Sequence, residues 1–350
     1  LSTIYHTSRL THHPFIHETQ EEKDMEITRM APAANMLINQ VLEVKKGESV
    51  LIVTDTDRPR NITLALSYSA QSAGAEVTVI TMEPQKIGGQ EPPAAVAAAM
   101  AAVQVVINQS TQSLTHTASV REAMTKGARV ANLRNVTEEM MVTGGITADY
   151  HQVRKITEKM AALLTGADEV RLTTPEGTDL TMRCRGRSAI AQSGFVTRPG
   201  MLSGLPDGEA TLAPLEGMTE GVIVSPYIAD QIGQITEPFR MEIARGRIVK
   251  IEGGRQAAEL RRILEVGDDA GYNAASQLAL GTNPACRIIP NTREVSKKLG
   301  TAHIAIGDNI SLGGTSKGTY HIDFVFLNVS VWLDGQCIVK DGQCLIDPEA

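Results

Sequence analysis

Two histidines and an aspartate near the end of the chain have the types and spacing to hold a metal ion. His321-Ile322-Asp323 reads as part of a strand, so His321 and Asp323 share one face while Tyr320, Ile322 and Phe324 point to the other. His303 opens a second short apolar run, His303-Ile304-Ala305-Ile306, closed by Gly307. If the two strands lie side by side, His303 joins the pair. Two imidazoles and one carboxylate suit Zn2+, or Fe2+ with open positions. An isolated His-x-Asp is more often solvated surface chemistry or a core hydrogen bond, so the elements around it must decide.

Those elements fall into two kinds. Residues 25–44 predict an amphipathic helix, with Ile27, Met30, Ala34, Leu37, Val41 and Leu42 at helical spacing and Gly47 as its stop. Residues 49–54 form a continuous apolar run, the mark of a buried parallel strand. Helices and strands then alternate to about residue 133, which predicts βαβ units in a parallel, Rossmann-like sheet. The loop after the first strand carries Asp55, Asp57 and Arg58 and no GxGxxG, which excludes a nicotinamide-dinucleotide fingerprint. Loop polarity and helix capping account for those three residues. Residues 151–164 read as a linking helix. Beyond 166 the segments shorten and glycine becomes frequent, predicting strands at 170–173, 179–183, 221–225, 239–245 and 247–251. Helices are expected at 256–266 and 270–280.

The expected organisation is therefore a histidine-rich arm over residues 1–20 (His6, His12, His13, His17), an α/β domain over 21–165, and a β-rich α+β metal-site domain over 166–350. The arm is read as a loose or partner-wrapped terminus rather than a metal site.

Composition narrows the function classes. A formal net charge of −7 and 3% aromatic residues argue against a nucleic-acid binder. No apolar run is long enough to span a bilayer. The N-terminal stretch lacks the charged-then-apolar pattern of a secretory leader. The four cysteines form no CxxC pair, which predicts reduced thiols in a cytoplasmic protein. The expected partners are a small molecule or short peptide and further copies of the chain.

The second half resembles the aminopeptidase T and aminopeptidase S type metallopeptidases. The matching stretches are Gly177-Thr178-Asp179-Leu180, Leu205-Pro206-Asp207-Gly208-Glu209, Gly281-Thr282-Asn283-Pro284, the His303 strand, and His321-Ile322-Asp323 followed by Leu333-Asp334-Gly335, in that order. The resemblance implies metal ligands at Glu209, His303, His321 and Asp323, and hydrolysis of an amide or small peptide by a metal-activated water. It leaves Glu209 as the one carboxylate available as a catalytic base. Two departures stand out. Gln277 occupies the place of a ligating glutamate, and Ile310 that of a tyrosine. A neutral amide supplies no charge to offset a second dication, so one tight metal, Zn2+ or Fe2+, is expected and a second site is doubtful. Gln277 is then a candidate for contacting substrate.

The chain also resembles the related 2,5-dihydroxypyridine dioxygenases, which use the His-x-Asp strand and another histidine to hold Fe2+. In them that histidine sits where Gln277 stands, and the position of His303 is not histidine. The leading expectation is a hydrolase, the alternative an Fe2+-dependent ring-cleaving dioxygenase, and the third a non-catalytic metal-binding relative.

Overall fold

A computed structural model describes residues 20–347, so the four histidines of the N-terminal arm lie outside the described residues. The chain opens with the helix Gln20–Met36, which runs into a wider turn of π-helix at Leu37–Val41. Leu37, Ile38 and Val41 are buried there against the first sheet.

That sheet is parallel, in the order Glu76–Met82, Ser49–Asp55, Val105–Gln109, Arg129–Asn132, Leu202–Gly204. The strand Ser49–Asp55 is buried because helices cover both faces of a parallel sheet. Its last strand comes from beyond the linking helix, so the chain returns to the first sheet at residue 202 before building the site.

The linking helix, Tyr150–Gly166, is capped by Asp149, whose carboxylate accepts from the amides of His151 (2.9 Å) and Gln152 (3.3 Å). Its first turn buries Tyr150 and Val153 in the first core, and its last turns bury Met160, Ala161 and Leu164 in the second. One helix thus serves both cores.

The second half is two antiparallel sheets sharing one apolar core. The eight-stranded sheet runs from Arg247–Gly253 at one edge to Gln343–Cys344 at the other. The seven-stranded sheet places His321–Phe326, Ala302–Gly307, Gln277–Gly281 and Glu209–Leu212 side by side. Phe239 of one sheet and Phe324 of the other meet with ring centroids 5.8 Å apart.

One expected element is corrected. The helix expected over residues 270–280 is a short 3-10 turn, Asp269–Tyr272, followed by the strand Gln277–Gly281. Ala275 at φ 54° breaks any helical continuation, and pairing on both edges of the strand overrides the helical preference of its alanine and leucines. The four cysteines are free, as their spacing predicts. Among the described residues, no helix is long and apolar enough to cross a membrane.

Candidate functional site

The site is one face of the seven-stranded sheet. The antiparallel register sets Glu209 opposite Gly281, His303 opposite Ala279, Gln277 opposite Ala305, Asp323 opposite Ala305, and His321 opposite Gly307. Directly opposed residues project to the same side, and so do alternate residues along each strand. Glu209, Gln277, His303, His321 and Asp323 therefore rise from one face. The intervening residues Ala210, Leu278, Ile304, Ile322 and Phe324 point into the shared core. Small residues at 279, 281, 305 and 307 leave room above the sheet for the long polar side chains.

Gln277 sits between the two imidazoles. Its Nε2 is 3.2 Å from Nε2 of His303, and its Oε1 is 2.8 Å from Nε2 of His321. The other nitrogen of His321 donates to the carbonyl of Asp308 at 2.8 Å. Asp323 Oδ1 lies 3.3 Å from His321 Nε2. Burial opposes a charge on His321, but the Asp323 carboxylate and the Asp308 carbonyl prevail and push its pKa up to about 9. Burial would raise the Asp323 carboxyl, yet His303 and His321 hold it far below the usual carboxylate range. His303, only 1% exposed, is held below the ordinary histidine value by its burial, against the pull of Asp323 and Glu209.

Glu209 is differently engaged. Its Oε2 accepts from the buried ammonium of Lys297 and stands 3.4 Å from His303 Nε2. Burial would raise its carboxyl, but Lys297 and His303 bring it below the usual value. Burial pushes neighbouring Asp207 up to about 6, against the pull of Lys297.

Among the described residues, no three His, Cys, Asp or Glu side chains form a ready metal cluster. The donors nevertheless suit one. Atoms bound to one ion at about 2.1 Å stand about 3.0–3.4 Å apart, and His321 Nε2 and Asp323 Oδ1 are 3.3 Å apart. Asp323 Oδ1 and His303 Nδ1 are buried polar atoms without a hydrogen-bond partner. The Gln277 amide separates His303 from that pair, and Lys297 already neutralises Glu209.

The carbonyl of Asp308, just past the His303 strand, orients the His321 ring. Asn283 bridges the two halves of the chain. Its Nδ2 donates to the carbonyls of Gly145 (3.0 Å) and Asp207 (2.8 Å), joining the first domain to the site. Tyr320 packs on the core beside Gly267.

Two residues escape sequence reasoning. Lys297 is one. The other is His116, carried on the loop after Val105–Gln109, where it lies within electrostatic reach of His321 and Asp308. His116 is exposed to solvent, yet the protein packed around it first, and the charge of His321 second, hold it below the ordinary histidine value. Its one sequence signal is its place after a parallel strand, where open α/β sheets bind their ligands.

An α/β domain set beside a double antiparallel sheet, with imidazoles, carboxylates and an amide on one sheet face, defines the class of protein. Residues 36–346 match the family described as NicX, 2,5-dihydroxypyridine 5,6-dioxygenase, and the chain belongs to that family. The chain is 24% identical over 205 residues to a 2,5-dihydroxypyridine 5,6-dioxygenase of Pseudomonas putida, a match covering 54% of this chain and 57% of the relative. It thus spans a little over half the length of that curated relative. Among solved structures, the 2,5-dihydroxypyridine dioxygenase of Pseudomonas putida superposes with a TM-score of 0.76 at 19% identity, covering 92% of this chain and 98% of the other. Wild-type AmpT of Thermus thermophilus superposes with a TM-score of 0.66 at 18% identity, covering 91% and 99%. These two likenesses establish the fold.

Proposed function

We propose that the chain is a metal-dependent dioxygenase that opens a hydroxylated nitrogen-heteroaromatic ring, with His303, His321 and Asp323 as the metal-holding set. The observation that carries this is the placement of those donors on one sheet face, with His321 and Asp323 3.3 Å apart, in a chain of the NicX family. When bound there, Fe2+ would supply open positions for activating dioxygen beside the substrate. Both oxygen atoms enter the product, and the ring bond next to the hydroxyl-bearing carbon breaks.

The protein's own groups do the rest. His116, whose lowered pKa keeps it neutral near pH 7, has a free ring nitrogen that accepts the proton of the substrate hydroxyl. Gln277 offers an amide within the ligand set to orient a polar ring substituent. Lys297 and Glu209 form a fixed ion pair behind His303.

The same facts weaken the hydrolase expected from the sequence. Glu209 was its one candidate base, and Lys297 engages it. Gln277 brings no charge for a second dication, and Ile310 is an exposed side chain where a tyrosine would serve.

The test is oxygen uptake and loss of ring absorbance with 2,5-dihydroxypyridine, after anaerobic loading with Fe2+. Uptake that needs Fe2+ and is lost in His321→Ala supports the reading. Hydrolysis of an aminoacyl anilide by the Zn2+-loaded protein, without oxygen uptake, overturns it.

A further inference from the structure

We infer that Asn132, backed by Asn108, is a positioning residue that sets His116 in place at the His321 edge of the site. This deepens the proposed function and rests on its reading of His116 as the proton acceptor. Asn108 and Asn132 pair across neighbouring parallel strands near their C-terminal ends and are 1% and 2% exposed. Asn108 Nδ2 donates to Asn132 Oδ1 at 3.2 Å. Asn132 Nδ2 in turn donates to the hydroxyls of Ser113 (2.9 Å) and Thr115 (2.6 Å), and Ser113 and Thr115 are themselves 2.9 Å apart.

His116 is thereby pinned on both sides. Thr115 before it is held by Asn132. Thr117 after it caps the helix Ala118–Thr125, accepting from the Val120 amide at 3.2 Å. The carbonyl of His116 accepts from Arg121 at 2.6 Å. The far end of the loop is tied by Asp55, which accepts from the Thr111 amide at 2.6 Å and its hydroxyl at 2.9 Å.

Burying polar side chains is costly unless they are hydrogen-bonded, and here the bonds run from the sheet to the loop. Asn108 Oδ1 has no partner at all, so the pair is not a self-satisfied core bond. What its amides hold is the loop that carries His116 within electrostatic reach of His321 and Asp308. A ring displaced by an ångström loses about 100-fold in proton transfer, which gives this placement its functional weight.

The experiment is a double-mutant cycle of Asn132→Ala and His116→Ala, read on turnover of 2,5-dihydroxypyridine by the Fe2+-loaded protein. Asn132→Ala is expected to lower kcat about 10- to 100-fold with little change in KM, and to have no further effect when His116 is already alanine. Asn132→Asp, of the same shape, should restore most of the loss, because the hydroxyls of Ser113 and Thr115 can turn to donate. Equal fold losses with and without His116 overturn the proposal, as does an unchanged kcat. Thr115→Val removes one accepting hydroxyl and carries the same test if Asn132→Ala does not fold. Should the wild-type chain show no ring-opening turnover, the functional reading falls, and positioning is read separately. Diethyl pyrocarbonate labelling of His116, followed by mass spectrometry, should then run several-fold faster in Asn132→Ala or Thr115→Val. A rate equal to wild type overturns it.

Discussion

Lys297 is 6% exposed and its ammonium rests on Glu209, so each group neutralises the other inside the protein. Removing one partner of a buried pair costs far more than the pair contributes, because the remaining charge is stranded. Lys297→Met should therefore cost about 3–5 kcal/mol in urea unfolding at neutral pH. Adding Glu209→Gln should recover much of it. A stranded Glu209 carboxyl has a raised pKa, so the deficit of the single variant should shrink as pH falls toward that of an ordinary carboxylic acid. Gln277 makes a separate prediction. Gln277→Glu places a carboxylate between His303 and His321 and should raise the metal bound per chain in elemental analysis; no rise removes the claim that Gln277 stands at a ligand position. His321 and Asp323 were legible from spacing, because period-two alternation needs no knowledge of the rest of the fold. Lys297 was not, since its partner is 88 residues away and nothing local marks the pairing.

At the scale of elements, strand alternation separates stability from function. Ile304 and Ala305 are neighbours on one strand, but Ile304 points into the shared core and Ala305 rises between Gln277 and Asp323. Ile304→Ala should cost about 2–5 kcal/mol in unfolding while leaving metal content unchanged. Ala305→Leu should fill the space above the sheet and abolish metal binding and turnover. If both variants behave alike, the face assignment fails. The strand order that brings Glu209 beside Gly281 was not legible, because register between distant strands leaves no local pattern. The parallel sheet was, since buried runs alternating with helices have one economical arrangement. That sheet is braced at the opposite end from His116, where Arg129 grips Glu48 through two bonds of 2.9 and 2.8 Å. The Arg129 hydrogen bonds hold the Glu48 carboxyl below its ordinary value. A depressed carboxyl pKa contributes stability above the unfolded value of about 4.5 and loses it as pH falls through the folded one. Glu48→Gln should thus destabilise at pH 7 and converge with wild type in acid, seen as a shallower acid limb in melting temperature against pH.

At the scale of the whole molecule, the proposed use of His116 beside the sheet face needs the α/β half and the β-rich half fixed against each other, and Glu294 ties them. Its carboxylate is fully buried and accepts from the Arg287 amide (3.1 Å), the Arg287 guanidinium (2.9 Å) and the amide of Gly145 in the first domain (3.2 Å). Arg287 also reaches back to Glu139 of the first domain. Contact here is close: a Cβ on Gly145 would lie 2.2 Å from the sulfur of Cys286. The same segment continues to Lys297, and Asn283 at its start bonds to both Gly145 and Asp207. Loosening the junction should therefore move His116 and the sheet face apart together. Arg287→Met leaves Glu294 buried with only the backbone amides of residues 287 and 145 and no guanidinium, at an expected cost of about 3–5 kcal/mol. Turnover should fall with it, whereas metal content, set by strands within the second domain, should hold. Arg287→Met with Glu294→Leu removes the stranded charge and should regain stability without regaining full turnover, because the tie of Arg287 to Glu139 stays lost and that of Glu294 to Gly145 goes with it. Thermal melts, metal analysis and oxygen uptake on the two variants check this, and loss of metal in step with turnover would show that the junction supports the ligand strands rather than the alignment of the two domains.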